Sequence, residues 1–95
     1  IRSRRIDRID LLKIDTEGSE LDILRSLVEA DWRIIRQIVV EAHDEELTGL
    51  VTALLANHGF IPVVKWSDDF PGLSMIYAQN SACALQRSPH AVAAV

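Results

Sequence analysis

Apolar residues along this chain switch between two spacings. In residues 9–15, read as an extended segment, Ile9, Leu11 and Lys13 share one face while Asp10, Leu12 and Ile14 share the other, so apolar groups occur on both. Such a strand is expected in a parallel sheet covered on both sides. Leu21, Leu24 and Val28 then recur at helical spacing, with Ile23 and Leu27 widening the stripe. Ser19 and Asp22 form a capping-box-like start for which Thr16 competes, and the helix is expected to fade near Ala30, Asp31 and Trp32.

A second strand is predicted over residues 36–42, where Ile38, Val39 and Val40 suit a pleated surface. Strand, helix and strand make a βαβ unit with a right-handed crossover. Leu47, Leu50, Val51, Leu54 and Leu55 mark the clearest helix, with Asp44, Glu45 and Glu46 at its positive end and Gly59 as its stop. Residues 60–66 read as a third strand placed at a sheet edge by Pro62, which has no N–H for a ladder. The turn-rich stretch 67–72 is too short for a parallel crossover, so a fourth strand over 73–78 should run antiparallel to the third. From Asn80 onward no period remains, and residues 80–95 read as a tail or linker behind a domain of residues 1–79.

Composition narrows the classes. The chain has 95 residues, 48% of them hydrophobic, and a formal net charge of -4, which argues against a nucleic-acid groove or an anionic membrane surface. Arg2, Arg4, Arg5 and Arg8 are the dense basic cluster and read as a solvated lead-in to the first strand. Cys83 is alone, which rules out an internal disulfide and a multi-cysteine metal site. No apolar run approaches the roughly 20 residues of a membrane span, and no signal-peptide pattern opens the chain, so a cytoplasmic location is expected.

The chemistry gathers at strand ends. Asp15 and Glu17 close the first strand, Glu41 and His43 close the second, and adjacent parallel strands would bring the four to one rim, where ligands bind in open α/β sheets. Asp15, Glu41 and His43 are a candidate hard-metal set, or a general base with supporting groups, His43 being the natural base with an unperturbed pKa of about 6.5. The plainer alternative is that Asp15 and Glu17 cap one helix while Glu41 and His43 start the next. His58 and His90 read as solvated, and Trp32 and Trp66 as core or rim residues.

The block Leu11-Leu12-Lys13-Ile14-Asp15-Thr16-Glu17-Gly18-Ser19-Glu20-Leu21, followed by Ile38-Val39-Val40-Glu41-Ala42-His43 and by Gly59-Phe60, resembles the FkbM family of S-adenosylmethionine-dependent methyltransferases over about residues 6–78. The resemblance implies the C-terminal half of a Rossmann-like class I methyltransferase sheet, with three parallel strands, one antiparallel strand inserted between its neighbour and the edge, and two main helices. It implies Asp15 and His43 as catalytic residues, Asp15, Glu17 and Gly18 beside the cofactor S-adenosylmethionine, and a small-molecule hydroxyl as acceptor. The Gly-rich cofactor segment of that family lies upstream of Ile1: among Gly18, Gly49, Gly59 and Gly72 no pair makes the Gly-x-Gly turn. The chain alone is therefore expected to be inactive, to lack the N-terminal half of its own domain, and to self-associate through a bare edge beside the first strand. A divalent metal stays open as a second cofactor. Two other classes stay open as well, a non-catalytic α/β scaffold or interaction module and a magnesium-dependent phosphotransfer or hydrolase domain.

Overall fold

The computed structural model of the protein describes residues 8–15, 18–83 and 92–94. Its elements run β1 (Leu11–Ile14), α1 (Glu20–Ser26), α2 (Glu29–Ile34), β2 (Gln37–Ala42), α3 (Glu45–Asn57), β3 (Phe60–Trp66) and β4 (Ser74–Asn80), then a 3-10 turn (Ser81–Cys83) and β5 (Val92–Ala94). The strands form one mixed sheet in the order β3-β4-β2-β1-β5. β1 pairs parallel with β2 and with β5, whereas β4 pairs antiparallel with both β2 and β3. Two antiparallel pairings in succession leave β3 pointing the same way as β1 and β2. The expected insertion of the fourth strand is therefore present, and Pro62 lies on the edge strand, opposite Ala78.

Alternation along the strands sets the layers. Leu12, Ile14, Ile38, Val40, Ala42, Phe60, Ile76 and Ala78 are buried with Leu24, Trp32, Val51 and Leu55 of the helices in one core. The intervening Lys13, Gln37, Ile61, Val63, Tyr77 and Gln79 are exposed. Among the described residues the helices thus cover one face of the sheet, not the two expected from the apolar pattern of residues 9–15.

Three further expectations are corrected. The first predicted helix is two, because Leu27 adopts an extended conformation and the Asp31 carboxylate accepts from the Val28 N–H at 3.0 Å, starting α2 afresh. That break lets Leu24 and Trp32 both reach the core. In α3 the buried stripe takes in Thr48 and leaves Leu50 46% exposed, because the Thr48 and Ser74 hydroxyls meet at 2.7 Å inside the protein. Finally, the β1 edge expected to lie bare carries β5, with Leu12 opposite Ala93, so part of the predicted tail supplies a strand. Asn80, read as the start of that tail, is a buried end of β4 whose side-chain amide donates to the Ile35 carbonyl at 2.9 Å.

The start of β1 is tied down by charge. Asp10 accepts from Arg36 and pairs with Arg8, each at 3.2 Å, so Arg8 is part of a structural ion pair and not simply a solvated lead-in. Arg2, Arg4 and Arg5, like Thr16, Glu17 and His90, lie outside the described residues.

Candidate functional site

The site stands on the carboxyl ends of β1 and β2, whose parallel register sets Ile14 against Val40. Asp15 follows directly from β1 and is exposed; Glu41 is the penultimate residue of β2, on the face away from the helices, and His43 follows it. Asp15 and Glu41 each follow the last buried apolar residues of their strands, Ile14 and Val40, and His43 comes one residue after β2 ends, so the backbone delivers all three to the rim.

Their side chains converge. The Nε2 of His43 is 3.3 Å from Oε2 of Glu41, and its Nδ1 is 3.9 Å from Oε2 of Glu20. Asp15 faces Glu41 closely enough for a hydrogen bond between the two carboxyls when Glu41 carries its proton. Glu41 holds its proton above the ordinary carboxylic range, first because its carboxyl is partly withdrawn from water and next because of that hydrogen bond and the charge of Asp15; Glu20 adds to the effect and His43 opposes it. Neighbouring carboxyls beside an imidazole are the kinds of group that accept a proton from a hydroxyl.

Glu20 escaped the sequence reading. It is fully buried in the first turn of α1, and both its carboxylate oxygens accept from the Gly18 N–H, at 3.0 and 3.2 Å. Gly18 has φ of 110°, a backbone conformation suited to glycine, and nothing lies within 4 Å of where a Cβ would stand. Glu20 therefore replaces the expected Ser19 cap, since the Ser19 side chain makes no capping bond. The only available signal was a carboxylate one turn into an amphipathic helix, an ordinary place for an acid.

The β3 to β4 hairpin closes one side of the rim. Gly72, with φ of 85°, sets the bend so close to β2 that a Cβ there would meet the His43 carbonyl oxygen at 3.6 Å. Among the described residues no group of three or more His, Cys, Asp or Glu side chains is disposed to hold a metal ion, so the metal-set reading of Asp15, Glu41 and His43 has no support in this geometry. At the other end of the sheet His58 is stacked on Trp32 with ring centroids 4.0 Å apart, which removes it from the solvated class expected of it. Trp32 is core and Trp66 is 47% exposed. No described helix is long and apolar enough to cross a membrane.

Comparison with known proteins identifies the family of the chain. Over 73 residues, 76% of this chain and 28% of the relative, the sequence is 47% identical to the 31-O-demethyl-FK506 methyltransferase FkbM of Streptomyces tacrolimicus. Over 79 residues, 79% of this chain and 30% of the relative, it is 41% identical to the methyltransferase sdnD of Sordaria araneosa. Methyltransferase 1 of Beauveria bassiana is 40% identical over 68 residues, 70% of this chain and 27% of the relative. The chain thus spans less than a third of the length of each of these relatives. No solved structure matches it. Residues 1–62 match the model of the methyltransferase FkbM domain, and the chain belongs to that family.

Proposed function

We propose that this chain is the C-terminal half of a methyltransferase domain that moves a methyl group from S-adenosylmethionine to a hydroxyl oxygen of a small molecule. The observation that carries this reading is the convergence of Asp15, Glu41 and His43 at the ends of two paired parallel strands, inside the stretch matched by the family. Exposed Asp15 and the open backbone at Gly18 leave room for a ligand against the turn, and these two residues would border the methyl donor. Glu17 is proposed beside them. The donor, when bound, supplies an electrophilic methyl on a sulfonium.

What the chain's own residues do follows from their contacts. The acceptor oxygen forms a bond to the methyl carbon as the carbon–sulfur bond breaks and its electron pair stays on sulfur; the hydroxyl proton leaves to His43. The Glu41 carboxyl at 3.3 Å from Nε2, with the Asp15 carboxylate beside it, then faces the imidazolium. Glu20 steadies the Nδ1 side and the turn at Gly18.

Radiolabelled methyl transfer by a full-length protein carrying this segment tests the reading. His43→Ala and Asp15→Asn should each lower turnover by about two to four orders of magnitude with melting temperature little changed. Variants that lose activity only in proportion to their unfolding would make these residues structural. The 95-residue chain by itself is expected to transfer no methyl group, and calorimetric titration of it with S-adenosylmethionine should give no micromolar binding.

A further inference from the structure

We infer that the crevice at the β3 to β4 hairpin is the acceptor subsite, taking the apolar body of a hydroxylated small molecule and presenting its hydroxyl to Glu41 and His43; this rests on the methyl-transfer reading and goes beyond it by placing the substrate. The crevice measures about 380 Å3 and is lined by Lys65, Trp66, Leu73, Ser74, Met75 and Tyr77, among others. That volume falls within the range of about 300–1,000 Å3 usual for small-molecule sites.

Position links it to the rim. Met75 is the register partner of Glu41 across the β2 to β4 ladder and of Lys65 across the β3 to β4 ladder, so one step along the sheet separates the crevice from Glu41. Directly opposite residues keep their Cβ atoms about 4.5–5.5 Å apart. The hairpin bend at Gly72 lies against the His43 backbone, which makes the loop a common wall for both. Its shape is held from within: the Ser67 hydroxyl accepts from the N–H groups of Asp69 and Phe70, and Ser67 N–H donates to the Leu73 carbonyl.

Chemistry selects the occupant. Trp66 and Tyr77 are 47% and 45% exposed, large apolar surface that a ligand would cover. A wall of Leu73, Met75 and Tyr77 suits an alicyclic or aromatic body; Asp68 and Asp69 line the loop side of the crevice, and Glu41 stands on the adjoining strand opposite Met75, on the side toward the rim. A groove lined by Gln37, Val39, Ile61, Val63 and Gln79 lies farther down the same face, toward the start of β2, and shares Tyr77 with the crevice, so Trp66 and Met75 are the residues that tell the two apart.

Two-dimensional NMR of the 95-residue chain titrated with cyclohexanol tests this without any methyl donor. Saturable shifts are expected at the Trp66 indole N–H, the Met75 methyl and Tyr77, with Glu41 and His43 responding and the Trp32 indole unmoved. Methylcyclohexane should move the first three and leave Glu41 and His43 still. Tyr77→Ala should weaken cyclohexanol binding at least several-fold; should it fail to fold, Trp66→Ala serves in its place. Absence of saturable shifts, shifts confined to the groove at Val39 and Ile61, or an equal response of Glu41 and His43 to both probes overturns the assignment. Because no transfer is measured, that outcome leaves the methyl-transfer reading standing.

Discussion

Glu20 sits out of water with its charge divided between the turn it holds and the imidazole it faces. Removing it with Glu20→Ala strands the Gly18 N–H, a change that should lower stability by about 1–3 kcal/mol, readable by urea titration. Glu20→Gln keeps an acceptor for that N–H and should be milder. Glu41 behaves in the opposite sense. Its folded pKa is raised, so the folded chain holds this proton more tightly than the unfolded one, and the associated stability is complete below the ordinary carboxylic range and lost as pH climbs through the raised value. In Glu41→Gln the melting temperature relative to wild type should therefore improve as pH rises from the ordinary carboxylic range through the raised value. A melting temperature that falls further below wild type over that range would contradict the arrangement with Asp15. Asp15, Glu41 and His43 were legible because they fall where the apolar runs of the first two strands give way to polar residues. Glu20, Thr48 and His58 were not, since their partners lie 23, 26 and 26 residues away.

At the scale of elements, local chemistry decided as much as hydrophobic period did. The α3 boundaries were readable because Asp44 accepts from the Leu47 N–H at 2.6 Å and Gly59 takes φ of 84°. The break between α1 and α2 was hidden, because Leu27 and Val28 continue the apolar stripe and only the Asp31 bond to Val28 ends it. Asp44→Ala should destabilise by about 1 kcal/mol through loss of the cap. The Thr48 hydroxyl also donates to the Asp44 carbonyl at 2.8 Å, so the Ser74 hydroxyl is the donor in their contact. Thr48→Val leaves that buried donor unmatched and should cost about 1–3 kcal/mol, while Thr48→Val with Ser74→Ala should cost less than the two single changes added together. Additive values in chemical denaturation would mean that the two hydroxyls do not interact.

For the molecule as a whole, strand order and direction followed from the short connector and from Pro62, whereas the uncovered face and the fifth strand did not. Each strand's apolar residues fill both parities whether or not a second helical layer is present, and Val92, Ala93 and Ala94 carry no period of their own. With β5 on the β1 edge, the exposed apolar surface that self-association would use is, among the described residues, the sheet face away from the helices, where Val63 is opposite Tyr77 and Ile61 and Val63 are 59% and 61% exposed. Size-exclusion chromatography of the chain should give a mass above the monomer, and Ile61→Lys with Val63→Lys should shift it down; an unchanged profile would place the contact elsewhere. The insertion of β4 also bears on synthesis. β3 has β4 as its described neighbour, yet β4 is made after it, so while Phe60–Trp66 leaves the ribosome it has no ladder to join. The nascent chain must hold this apolar segment unpaired until Ser74–Asn80 emerges and recruits it, which makes that delay the interval in which a chaperone matters most.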